Sequence, residues 1–170
     1  ADGAGAVTFK GNVTTAAGNT ATTLNGNVVL DGLTFTAGGV STFGSGGTDT
    51  VTLSTAGVII DAGSNAVTIN SKVDGAQALT LNSSGAVALN GVIGSGTAPT
   101  SLTSNTGGSL ALGANVTVAG NLDVNDPAAT LTSGVTLTTT GSGTIDFAGT
   151  LDGAQDLTVT SAGTTAFTGN

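Results

Sequence analysis

Val73-Asp-Gly-Ala-Gln-Ala-Leu-Thr-Leu81 and Leu151-Asp-Gly-Ala-Gln-Asp-Leu-Thr-Val159 are two copies of one segment, set at an offset of 78 along the chain. Carried on through Gly91 and Gly169, ten of nineteen positions are identical. The match also extends backwards. Gly63-Ser64 answers Gly141-Ser142, and Val67/Ile69 answers Ile145/Phe147, so residues 58–91 match 135–169. Within each copy the apolar residues stand two apart, which on an extended chain puts them on one face. The Asp-Gly before them supplies a turn, because Gly reaches positive φ and Asp bonds its own backbone.

The same alternation fills the rest of the chain. Fourteen apolar-x-apolar pairs occur: Val7/Phe9, Val28/Leu30, Leu33/Phe35, Val51/Leu53, Val58/Ile60, Val67/Ile69, Leu79/Leu81, Val87/Leu89, Leu110/Leu112, Val116/Val118, Leu122/Val124, Val135/Leu137, Ile145/Phe147 and Leu157/Val159. Turn formers separate them, and no stretch has helical spacing. A shorter period lies inside the long one: the offset is 21 from Val58 to Leu79, 20 from Val67 to Val87 and 22 from Val135 to Leu157. Units of that size read as rungs of a parallel β-solenoid. The expectation is therefore an all-β parallel β-helix of roughly 20-residue rungs, about eight in all, with the offset of 78 equal to four turns. A β-sandwich of similar length would not repeat at a fixed offset. Val67, Ile69, Leu79, Leu81, Val87, Leu89, Ile145, Phe147, Leu157 and Phe167 are the expected inward residues.

Composition removes most chemistry. The 170 residues include 33 Thr, 29 Gly, 14 Ser and 13 Asn, and the charged residues are ten Asp and two Lys. There is no His, Cys, Glu or Arg. Such a chain lacks the usual zinc ligands, a Cys nucleophile and a Ser-His triad. A net charge of -8 without Arg opposes nucleic-acid binding. No run approaches the length of a membrane helix, so membrane insertion is not expected. With 38% apolar residues and a mean hydropathy of +0.35, the chain is nevertheless equipped to bury a core.

Carboxylates are the remaining acid/base option, as Asp123/Asp126 and Asp152/Asp156. Most Asp residues here precede Gly or sit at turns, so no enzyme is expected. Calcium is the one cofactor candidate, since hard cations take carboxylate and carbonyl oxygens. Asp49, in a glycine-rich stretch, and Asp123, Asn125 and Asp126 are its candidate ligands. Thr-x-Thr at Thr34/Thr36, Thr136/Thr138 and Thr158/Thr160 resembles an ice-binding ladder, but the spacing is irregular. Asn82 and Asn90 are expected to stack rung on rung inside the fold, as Asn ladders do in cross-β assemblies.

Phe9-Lys10-Gly11-Asn12 resembles Phe167-Thr168-Gly169-Asn170, and neither end supplies the polar cap that a solenoid normally carries. The chain, which begins with Ala1, is expected to be uncapped at both ends. It reads as a window on a longer array or as a subunit that stacks end to end, so its expected partner is itself.

The block Gly143-Thr-Ile-Asp-Phe-Ala-Gly-Thr-Leu-Asp-Gly-Ala-Gln-Asp-Leu-Thr-Val-Thr-Ser-Ala-Gly163 resembles the β-strand repeats of large secreted bacterial surface proteins, the filamentous-haemagglutinin-like exoproteins and related adhesins. The resemblance implies a right-handed parallel β-helix, export to the bacterial cell surface, and a shaft that displays or connects other domains. The expected function is a structural extracellular segment of a stiff rod or filament in a surface or biofilm-matrix protein. The alternative is a ligand-binding adhesin that grips polysaccharide or cell-surface glycans, with or without calcium.

Overall fold

A computed structural model describes residues 5–18 and 21–169 of the chain. Among them there is no helix, and the strands form parallel ladders only. The chain winds as a β-solenoid of about seven turns of roughly 22 residues. Each turn visits three faces in order. The first face holds Val7–Phe9, Val28–Asp31, Thr50–Ser54 and Lys72–Asp74, then Val116–Val118, Val135–Thr139 and Leu157–Thr160. Ile93 links its two halves through single bridges to Val73 and Val116. The second face is an unbroken eight-stranded sheet: Val13–Thr14, Thr34–Thr36, Val58–Asp61, Ala78–Ser83, Ser101–Thr106, Leu122–Val124, Ile145–Phe147 and Thr165–Phe167. The third holds Ala21–Leu24, Val40–Phe43, Val67–Ile69, Val87–Leu89, Ser109–Leu112, Ala128–Leu131 and Thr150–Asp152. At ~4.8 Å per rung, seven turns span about 34 Å.

Alternation dictates this winding. On the second face one inward column runs Val13, Phe35, Ile60, Leu81, Ser104, Val124, Phe147 and Phe167, each paired with the next. Residues between them point out. The expected inward set is confirmed for Val67, Ile69, Leu79, Leu81, Val87, Leu89, Ile145 and Phe147, all buried to about 1% exposure or less. Leu157 and Phe167 point inward too, but lie in the outermost rung and are only partly buried. Phe147 and Phe167 stack on successive rungs with ring centroids 5.4 Å apart. Rungs average roughly 22 residues, longer than expected, because some corners are long. Phe35, for example, pairs with Ile60, a longer turn than the one from Val67 to Val87.

The short offsets of 20, 21 and 22 are single turns, as expected: Val67 pairs with Val87, Val58 with Leu79 and Val135 with Leu157. The offset of 78 is not four turns. Val73 lies on the first face and its counterpart Leu151 on the third; Leu79 lies on the second and Leu157 on the first. Val67 and Ile145 shift likewise, from the third face to the second. Counted along the winding, the long repeat covers eleven faces, or three turns and two-thirds.

Local chemistry makes this shift possible. Ser83 Oγ donates to the Asn65 carbonyl at 2.7 Å and accepts the Gly85 N–H at 2.9 Å, closing the corner after a second-face strand. Ser161 Oγ does the same with the Gly143 carbonyl (3.0 Å) and the Gly163 N–H (3.2 Å), after a first-face strand. Gly75 and Gly153 both adopt positive φ, 126° and 129°. A Cβ at either would collide with the carbonyl oxygen of the Leu beneath, Leu53 or Leu131. A strand and its corner thus fold alike on whichever face they fall.

Truncating an inward residue should be costly. Leu81→Ala is expected to lose about 2–5 kcal/mol of stability by cavity formation, while outward Thr80→Ser stays within ~0.5 kcal/mol. Chemical denaturation checks this, and equal losses would contradict the inward column. The equivalence of faces gives a second expectation. Excising residues 73–150 joins Lys72 to Leu151 and puts each residue of the second copy where its counterpart stood. This shortened chain should unfold cooperatively with a β-type circular dichroism spectrum. Loss of that signal would contradict the equivalence.

Candidate functional site

The surface offers three groupings of chemistry: a carboxylate pair, amide ladders along two corner rows, and a cleft at one end of the stack.

The strand Leu122–Val124 buries Leu122 and Val124 and turns Asp123 outward. Register sets Asp123 directly beside Asp146 on the next rung. Alternation thus gives two stacked carboxylates, with one shielded oxygen, Oδ1 of Asp146, that receives no hydrogen bond. Burial, and then the charge of Asp146, push the Asp123 carboxyl above the ordinary carboxylate range. The other expected cation ligands do not join this pair. Asn125 is exposed at the corner, and Asp126, next in the chain, is buried at 1% exposure. Asp49 precedes the strand Thr50–Ser54, three rungs away, or roughly 14 Å at the rung spacing. Its Oδ2 accepts the Ser45 hydroxyl at 2.7 Å, which holds its pKa below the ordinary value. Among the described residues no three of His, Cys, Asp and Glu come together. Asp123 and Asp126 likewise do not share a site for acid/base work, and Asp152 and Asp156 are both exposed beside one corner.

Asn82 and Asn90 do stack, but outside the core. Asn125 Nδ2 donates to Asn105 Oδ1 at 2.8 Å, and Asn105 Nδ2 donates to Asn82 Oδ1 at 3.3 Å. Asn90 Nδ2 donates to Asn70 Oδ1 at 3.0 Å. All are at the ends of strands, where an amide can keep water on one side while bonding its neighbour. An inward amide would have to satisfy its donors and acceptors among aliphatic side chains, which these columns do not allow. The Thr pairs make no continuous array: Thr136/Thr138 and Thr158/Thr160 are neighbours on the first face, but the rung below offers Asn115 and Thr117.

The cleft, about 330 Å³, is lined by Leu131, Leu151, Asp152, Gly153, Gln155, Leu157 and Phe167. It lies where the last inward side chains have no rung above them among the described residues. Asp146 and the cleft could not be read from the sequence by motif. Asp146 becomes visible only once the register at Asp123 is known, and the cleft only once Gly153 is seen to occupy an inward-column end. Among the described residues no helix is long and apolar enough to cross a membrane. No family model, curated protein or solved structure matches the chain.

The carboxylate pair carries a pH signature. A carboxyl with a raised pKa in the fold holds its proton more tightly there than in the unfolded chain. Its destabilising effect is therefore absent in acid and grows as pH rises through the carboxylate range. Asp123→Asn should raise the thermal midpoint at pH 7 and leave it unchanged near about pH 2.5. Unchanged midpoints at both values would contradict the pairing. Asp49 has the opposite sign: its contribution is present at neutral pH and lost as pH falls through its lowered pKa.

Proposed function

We propose that this chain is a rod segment of an extracellular bacterial surface or matrix protein, whose task is mechanical: to hold length and stiffness. The observation that carries this is the eleven-face repeat. A gripping face requires the same outward residues on one side of the rod in successive rungs. Here each copy of the repeat turns its outward residues by one face, so chemistry is spread around the rod. The inward residues gain from the same arrangement, since every face contributes Val, Leu, Ile or Phe to one continuous core. Amide ladders and backbone ladders tie each rung to the next, and eight uncompensated negative charges distributed along the rod favour keeping neighbouring rods apart. The location rests on the resemblance to secreted surface repeats.

Glycan arrays probed with the chain, with and without calcium, separate rod from adhesin. The rod account expects no saturable binding in either condition, together with resistance to protease over most of its length. Saturable glycan binding abolished by Thr80→Ala and Thr103→Ala on the second face would contradict it. Labelling of intact against lysed cells with an antibody to this segment tests the location.

A further inference from the structure

The stack end at Leu151–Gln155 is a copy of a place inside the rod where the covering segment is present. Deeper in, residues 92–97 lie over Val73-Asp74-Gly75. The Val73 N–H donates to the Val92 carbonyl at 3.0 Å, and the Gly94 N–H donates to the Val73 carbonyl at 2.7 Å. The Gly75 N–H donates to the Thr97 carbonyl at 2.9 Å. Asp74 Oδ1 accepts the N–H groups of both Gly96 (2.7 Å) and Thr97 (3.2 Å). Ile93, fully buried, seals the core above Val73 and below Val116.

Leu151-Asp152-Gly153 repeats the lower half of this arrangement. Gly153 has nearly the φ of Gly75 and rests on Leu131 as Gly75 rests on Leu53, and Leu53 and Leu131 are related by the same offset. Only the cover differs. Val73 is fully buried whereas Leu151 is half-buried, Asp74 is half-buried whereas Asp152 is exposed, and the cleft of about 330 Å³ opens beside Gly153. The position equivalent to Val92 is Asn170, which lies outside the described residues, and the equivalents of 93–97 would follow it.

We propose that this end is a strand-accepting site for a chain segment of the Val-Ile-Gly-Ser-Gly-Thr type. The Asp152 carboxylate receives two successive backbone N–H groups of the Gly-Thr corner, and the aliphatic side chain before the first Gly fills the cleft against Leu131, Leu151, Leu157 and Phe167. Charged acceptors make the stronger hydrogen bonds to backbone N–H, and an apolar cleft selects an apolar side chain, so both halves of the recognition have a physical cause. The segment adds as a parallel strand, by edge pairing. Gly suits the first corner position because Gly94 adopts a positive φ of 74°, and a small residue suits the second because a Cβ at Gly96 would approach the Asp74 carboxylate to 3.1 Å. The proposal deepens the rod account and rests on it.

The test appends Ile-Gly-Ser-Gly-Thr-Ala, the sequence of residues 93–98, directly after Asn170. Hydrogen exchange of the amides across Leu151–Leu157 should slow about tenfold, with a higher unfolding midpoint. A tail with Asp in place of the Ile should give no protection, and Asp152→Ala in the extended chain should lose most of it. The proposal is overturned if the Ile tail leaves exchange unchanged, or if the Asp tail protects equally. It is also overturned if sedimentation shows the parent chain pairing at this end and the tail fails to displace the second copy. Failure of the rod account would appear separately, as glycan binding by the unextended chain.

Discussion

Each inward side chain between the outermost rungs is covered by the side chains one turn before it and one turn after it. A single turn has no core of its own: Leu81 is buried because Ile60 and Ser104 lie directly below and above it in the column. Burial therefore depends on register, and register on corners that return the chain to the right place. A slip by a single position would turn a whole strand's apolar set to water. This coupling explains why the fold tolerates so little charge inside, and why exposure rises at the outermost rungs, where Phe9, Leu24, Leu151 and Phe167 have a rung neighbour on one side only among the described residues.

The fold was legible where inward slots hold Val, Leu, Ile or Phe. Thirteen of the fourteen alternating pairs lie within a strand, and the other, Leu33/Phe35, begins just ahead of its strand, Thr34–Thr36. Alternation passed over two kinds of strand: Val13–Thr14, Lys72–Asp74 and Thr150–Asp152, which hold a single inward aliphatic residue, and strands with a small or polar residue in an inward slot. Ser41 fills one in Val40–Phe43 and Ser104 one in Ser101–Thr106, where the Ser104 hydroxyl is buried without a partner. Ala129 and Thr165 play the same part in Ala128–Leu131 and Thr165–Phe167. Apolar neighbours on adjacent rungs carry these strands, a fact that lies in the stacking and not in the local sequence. The site was less legible for the same reason. Asp123 was visible as a carboxylate, but its neighbour Asp146 comes from one turn later, and only the register joins them. Asn82 was rightly expected to stack, but its side was decided by the cost of burying an amide among aliphatics.

The repeat is where sequence and structure diverge in an informative way. A long copy looks like a whole number of turns because the eye expects equivalent residues on equivalent faces. Ser-x-Gly and Asp-Gly corners that form alike on different faces remove that requirement. Ser83 and Ser161 make matching bonds on different faces. The single face, a third of a turn, is thus the unit that the chemistry recognises. The composition follows from this: Gly, Asn and Asp recur at the corners, and Thr fills many of the outward strand positions. The two copies of the repeat accordingly set their outward residues one face apart.

The claim on which the rest stands is that outward residues on one face are spaced by the rung, in order, along a straight axis. Pulsed dipolar spectroscopy on paired spin labels measures it. With one label at Thr34→Cys and the second moved through Thr80→Cys, Thr103→Cys, Asp123→Cys, Asp146→Cys and Ala166→Cys, the separation should rise linearly. The slope should be about 4.8 Å per rung. Distances that fail to increase in this order, as they would in a sandwich of folded-back sheets, would contradict the solenoid and everything inferred from its faces.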